Sequence, residues 1–173
     1  MPDATPLPSG TAPLPADAIE RMSAGELPLN AWLGLAPADL ETLAGFGAML
    51  LQQGQTAEAR KVFAGLIAVD PTAYHGPAGI GALLLRESRL EEAAKWLGRA
   101  ATCNPPDPAV WANLGETCLR LGEVEQAGAH LRKALALDPS AANPAANRAR
   151  ALIENMATSI AQWNRATPPG GPR

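Results

Sequence analysis

Apolar residues recur at helical spacing through most of the chain, and the pattern itself recurs. In the stretch Pro108 to Pro139, with Pro108 counted as position 1, Trp111 falls at 4, Leu114 at 7, Gly115 at 8 and Cys118 at 11. Ala127, Leu131, Ala134 and Pro139 follow at 20, 24, 27 and 32. Stepping back 34 residues gives Pro77, Ile80, Gly81, Leu84, Ala93, Leu97, Ala100 and Pro105. A second step gives Leu43, Phe46, Gly47, Leu50, Ala59, Phe63, Leu66 and Pro71. Positions 4, 7, 8 and 11 share one face of a helix, as do 20, 24 and 27. Each copy therefore predicts two helices joined by a turn. Gly54 and Gly122 sit in that turn in the first and third copies, where a helix end accepts left-handed backbone. Ser88 takes the same place in the second.

Three copies in one register, without an insertion, resemble the tetratricopeptide repeat, whose unit is two antiparallel helices in about 34 residues. The fold expected is all-α: a solenoid of three helix-turn-helix repeats over 37–141, with units near 40–73, 74–107 and 108–141. The second repeat opens on HGPAGIGALLL. Three interior glycines, each costing up to about 1 kcal/mol against alanine, make this the weakest helix of the array by propensity. Beyond the repeats, Pro144 to Trp163 carries Ala149, Leu152, Ile153, Met156, Ile160 and Trp163 as one apolar stripe. It is expected to cover the last open face of the array, as a capping helix over 142–165.

The ends read differently. Residues 1–14 are rich in Pro, Ala, Ser, Thr and Gly and bury too little to order themselves, so a disordered arm is expected. A proline-rich docking ligand is the other reading of that arm. Residues 15–36 form a helical and apolar segment, with Leu27, Leu29, Trp32, Leu33 and Leu35 close together and Pro28 interrupting. This segment either caps the first repeat or is a self-association surface, which would make a homodimer through 16–35. Residues 166–173 read as a flexible tail.

Composition narrows the function. The chain has 173 residues and a net charge of −3, with 47% hydrophobic and 18% charged residues. An acidic chain lacks the basic surface that neutralising phosphates requires, so no nucleic-acid partner is expected. No apolar run is long enough to span a bilayer, and MPDATPLPSGTAPLPAD has neither the basic start nor the apolar stretch of a signal peptide. A cytoplasmic protein is expected. Cys103 and Cys118 form no disulfide framework, and Cys118 sits at a core position as a small hydrophobe. His75 and His130 are 55 residues apart with no ligating neighbours at metal spacing. GIGALLL lacks the lysine of a phosphate loop. Neither a cofactor nor enzymatic activity is expected.

Paired-helix solenoids line their inner face with residues of the first helix of each pair, here positions 2, 5, 9 and 12. These are Glu41, Ala44, Ala48 and Leu51, then His75, Ala78, Ala82 and Leu85, then Ala109, Ala112, Glu116 and Leu119. Small residues leave room and the leucines make an apolar wall, suited to an extended or helical peptide with apolar segments. Inter-repeat packing is the alternative use of the same positions.

A narrower resemblance rests on three stretches. LETLAGFGAMLLQQGQTAEARKVFAGLIAVDP, GIGALLL and PAVWANLGETCLRLGEVEQAGAHL are similar to the three repeats of the class II chaperones of bacterial type III secretion. The resemblance covers about residues 36 to 155. It implies a cytoplasmic chaperone that holds a hydrophobic translocator before export, with the groove residues above as its binding site. The alternative is a generic repeat adaptor or scaffold in another bacterial assembly. In that family the N-terminal helix can mediate dimerisation; here Pro28 breaks it.

Overall fold

The computed structural model describes residue 30, residues 33–103 and residues 105–166. The expectations for the arm, for most of the segment before Pro37 and for the tail fall outside the described residues. Seven helices are present among the described residues, with no strand: α1 (Pro37–Gln52), α2 (Thr56–Val69), α3 (His75–Arg86), α4 (Leu90–Thr102), α5 (Pro108–Arg120), α6 (Val124–Leu137) and α7 (Pro144–Ala166). The fold is all-α, as the repeat pattern predicts.

The helix boundaries have local causes. Pro37 and Pro108 occupy first turns, where a missing N–H breaks no bond. The Ala36 N–H donates to Asp39 Oδ2 at 2.7 Å, and Asp107 Oδ1 accepts from the Ala109 N–H at 2.8 Å. After α1 and α5 the chain reverses at Gly54 (φ 80°) and Gly122 (φ 84°). After α3 it reverses at Ser88 with φ 61°, so a serine takes the left-handed place held by glycine in the other pairs. There the Arg120 guanidinium donates to Ser88 Oγ at 2.9 Å and to Leu85 O at 3.1 Å, capping the end of α3.

The chain divides into two compact units, Met1–Gly79 and Ile80–Arg173, with the division inside α3. In the first unit α1 pairs with α2, burying Leu40, Gly47 and Leu50 against Ala59, Phe63 and Leu66. Phe63 explains a glycine on α1, Gly47, and one on α3, Gly79. A methyl at Gly47 would sit 2.7 Å from its ring, and one at Gly79 would sit 2.0 Å away. The low helix propensity of this turn is the consequence of close approach: a side chain at Gly79 would occupy the space of the ring.

In the second unit α4, α5 and α6 pack in succession, and α7 lies against both α5 and α6. Leu97 and Leu131 take the register position of Phe63, and each closes on a glycine: methyls at Gly81 and Gly115 would lie 2.5 and 2.7 Å from them. Trp111, Ala112, Leu131, Ala134 and Ala149 form a buried cluster, with Leu152, Ile153 and Met156 of α7 packed on it. The Trp111 indole N–H donates to Pro105 O at 3.0 Å, and the Lys133 ammonium stands 3.6 Å from the ring centroid.

Candidate functional site

At 100° per residue, Glu41, Ala44, Ala48 and Leu51 fall on one side of α1, turned away from Phe46 and Met49. Glu41 and Ala48 are exposed, and Ala44 and Leu51 are half-buried. His75 and Ala78, in the same unit, are half-buried, and the imidazole of His75 stacks on Tyr74 with centroids 4.1 Å apart.

In the second unit Ala82 is half-buried and Leu85 is buried. Ala109, Glu116 and Leu119 are half-buried along one side of α5, but Ala112, between them, is fully buried. The reason is α7, which stacks on α5 as the first helix of a further repeat would. Arg148 of α7 donates to Asn113 Oδ1, and its Nε lies 3.3 Å from Glu116 Oε2. The structure thus leaves Ala82, Ala109, Glu116 and Leu119 at least partly accessible in this unit. It commits Ala112 to the packing between α5 and α7, and leaves Leu85 little surface.

The opposite side of α5 holds a feature that the inward-position pattern does not contain. A cavity of about 410 Å³ opens between α4 and α6. Ala94, Gly98 and Ala101 of α4 form one wall, Leu114 and Cys118 of α5 the floor, and His130 of α6 lies opposite. Its sequence signal is the run of small residues at 94, 98 and 101, one helical turn apart. The thiol of Cys118 is pushed up to about 11, first by burial and then by the Glu123 carboxylate. His130 is held below its ordinary value, first by burial and then by the Lys133 charge. A nucleophilic cysteine needs the reverse, a stabilised thiolate beside a cationic or basic group. Cys118 acts as a buried apolar group in this setting, and Cys103 is exposed. Among the described residues no cluster of His, Cys, Asp and Glu could hold a metal ion, and no helix is long and apolar enough to cross a membrane.

Two family profiles, both of the tetratricopeptide repeat, match the chain over residues 49–108 and 84–153. It is a tetratricopeptide-repeat protein. The two matches overlap and together run from residue 49 to 153, taking in the register from Leu50 to Pro139. No curated protein sequence matches the chain. Solved structures do. A type III secretion complex from Aeromonas hydrophila is 26% identical with a TM-score of 0.61, covering 83% of this chain and 97% of that one. PcrH, solved in complex with the chaperone binding region of PopD, is 27% identical with a TM-score of 0.57, covering 73% and 97%. The translocator chaperone SycD of Yersinia enterocolitica, at 22% identity and a TM-score of 0.57 over 73% and 96%, shares the fold. As a tetratricopeptide-repeat protein the chain is a protein-binding module, and its surfaces are to be read for a protein or peptide partner.

Proposed function

We propose that this protein is a cytoplasmic chaperone of a type III secretion system, holding an apolar segment of a secreted translocator until export. The observation that carries the reading is the likeness to PcrH, a chain solved with the chaperone binding region of its PopD partner, across nearly the whole of that chain. The physical support is the chemistry of the accessible helix faces. Ala44 and Ala48 let a backbone approach α1, and Leu51 supplies an apolar contact; on α5 Ala109 and Leu119 do the same beside Glu116. His75, Ala78 and Ala82 on α3 present similarly small or flat surfaces. Contacts of this kind suit an extended segment whose apolar side chains alternate with backbone pressed against alanine.

The test is capture of the partner from the native cell, read by mass spectrometry, with Ala48→Glu and Leu119→Glu as the altered chain. Both positions retain accessible surface, so the charge enters the face without unfolding a core. A captured protein with long apolar segments, lost from the altered chain, is the expected result. A partner lacking such segments, retained by the altered chain, would overturn both the chaperone assignment and the face.

A further inference from the structure

The cavity between α4 and α6 has an apolar bed and an acid on its rim. Ala94, Gly98 and Ala101 wall it on α4, over a floor of buried Leu114 and Cys118. Gly98 stands inside α4, where glycine costs up to about 1 kcal/mol against alanine. At Gly81 and Gly115 a leucine closes on the place of the missing side chain, but a methyl at Gly98 would meet nothing within 4 Å. The empty space beside Gly98 belongs to the cavity.

The rim is polar. Thr102, Glu123 and Gln126 are exposed, and His130 is half-buried with its ring stacked on Trp111, centroids 5.9 Å apart. Glu123 is held in place from two sides. Its N–H donates to Cys118 O at 2.8 Å, and its carboxylate accepts from the Cys118 thiol. A thiol is a weak donor and brings no positive charge. Glu123 makes no ion pair among the described residues, while Arg99 of α4 lies over the Trp96 ring and Lys133 of α6 over that of Trp111.

We propose that this cavity is a second binding site, which takes an arginine side chain of a partner protein. The methylene stem lies along Gly98 and Ala101 and over Leu114 and Cys118, as long cationic side chains do on apolar surface. The planar guanidinium meets the Glu123 carboxylate with two parallel N–H donors and has further donors for the side-chain oxygen of Gln126. An apolar side chain would leave Glu123 without a counter-charge, and an acidic one would be repelled by it. The site lies on the other side of α5 from Ala109 and Leu119 and does not depend on the chaperone reading. An apolar segment without arginine leaves it empty.

Methyl NMR of the full chain, titrated with a blocked alanine pentapeptide carrying one central arginine, reads this directly. Saturable shifts are expected at Ala94, Ala101 and Leu114, with Leu51 and Leu119 unmoved. The same peptide with citrulline, which keeps the shape and loses the charge, is expected to bind about ten-fold more weakly, and the lysine peptide several-fold more weakly. Glu123→Gln should weaken the arginine peptide about ten-fold. Gly98→Leu, which fills the cavity and raises helix propensity, should abolish the shifts. Equal binding of the arginine and citrulline peptides, or no saturable shift with either at millimolar concentration, would overturn the proposal; both results come from the unaltered chain and do not depend on how a variant folds. Tighter binding of the lysine peptide would overturn the choice of arginine.

Discussion

The first helix of the first repeat and the first helix of the third carry the same pattern and meet different surroundings. On α1, Leu43 and Phe46 are exposed; on α5, Trp111 and Leu114 are buried, Trp111 in a cluster with Leu131, Ala134 and Ala149 of α6 and α7. On the other side the order is reversed: Ala44 and Ala48 keep surface on α1, whereas Ala112 on α5 is fully buried under α7. The residue type at a repeat position sets what it can do, and the neighbouring helix sets what it does. This is the nearest-neighbour logic of repeat proteins, in which each unit is completed by the one beside it.

The largest break in the comparison should come at Trp111. Trp111→Ala removes a buried ring, its bond to Pro105 O and the Lys133 contact, and should cost about 3–5 kcal/mol in chemical denaturation. A cost under about 1 kcal/mol would mean that α6 and α7 do not enclose it. Next is Gly79→Ala, whose new methyl meets the Phe63 ring; a loss of about 1–3 kcal/mol is expected. Adding Phe63→Leu should return much of that loss, because the leucines at 97 and 131 need no second glycine of this kind. Equal losses in the single and double variants would show that the ring is not the obstacle. Phe46→Ser then sharpens the contrast between flanks. Phe46 is 48% exposed, so stability should stay within about 0.5 kcal/mol; a loss near about 2 kcal/mol would show that the flank is covered.

The smallest effect is a pH dependence. The folded chain holds His130 below its ordinary value, by burial and by Lys133, so the unfolded chain takes up a proton that the folded one refuses. The contribution is complete above the unfolded value of about 6.5 and is lost as pH falls below it. Denaturation midpoints should therefore drop from pH 7.5 to 5.5, with a shallower drop in His130→Gln. Parallel slopes for the two chains would remove His130 from the account.

The helices were legible because their signal is local and repeated. Gly47, Gly81 and Gly115 recur every 34 residues for the same reason, the close approach of a large side chain at position 24. The glycine at 79 was read as a weakness, since nothing in the sequence says that Phe63 is aimed at it. On α1 the inward-position pattern names residues that keep surface, with Glu41 and Ala48 exposed and Ala44 and Leu51 half-buried. The candidate face was less legible on α5, because the pattern places Ala112 inward without showing that Arg148 would draw α7 across Asn113 and Glu116. The cavity floored by Leu114 and Cys118 was not visible at all: it comes from α4 and α6 standing apart, and small residues at 94, 98 and 101 also fit plain helix packing.

The proposal is that an apolar partner segment uses the alanine-and-leucine face of α5, with that of α1 as a second such face, rather than the cavity behind α5. Methyl NMR of the chain, titrated with the apolar segment of the captured partner, separates the two. The methyls of Leu51 and Leu119 are expected to shift first and furthest, while those of Leu114 stay in place. Shifts centred on Leu114, with Leu51 and Leu119 unmoved, would contradict the account and move the site to the other side of α5.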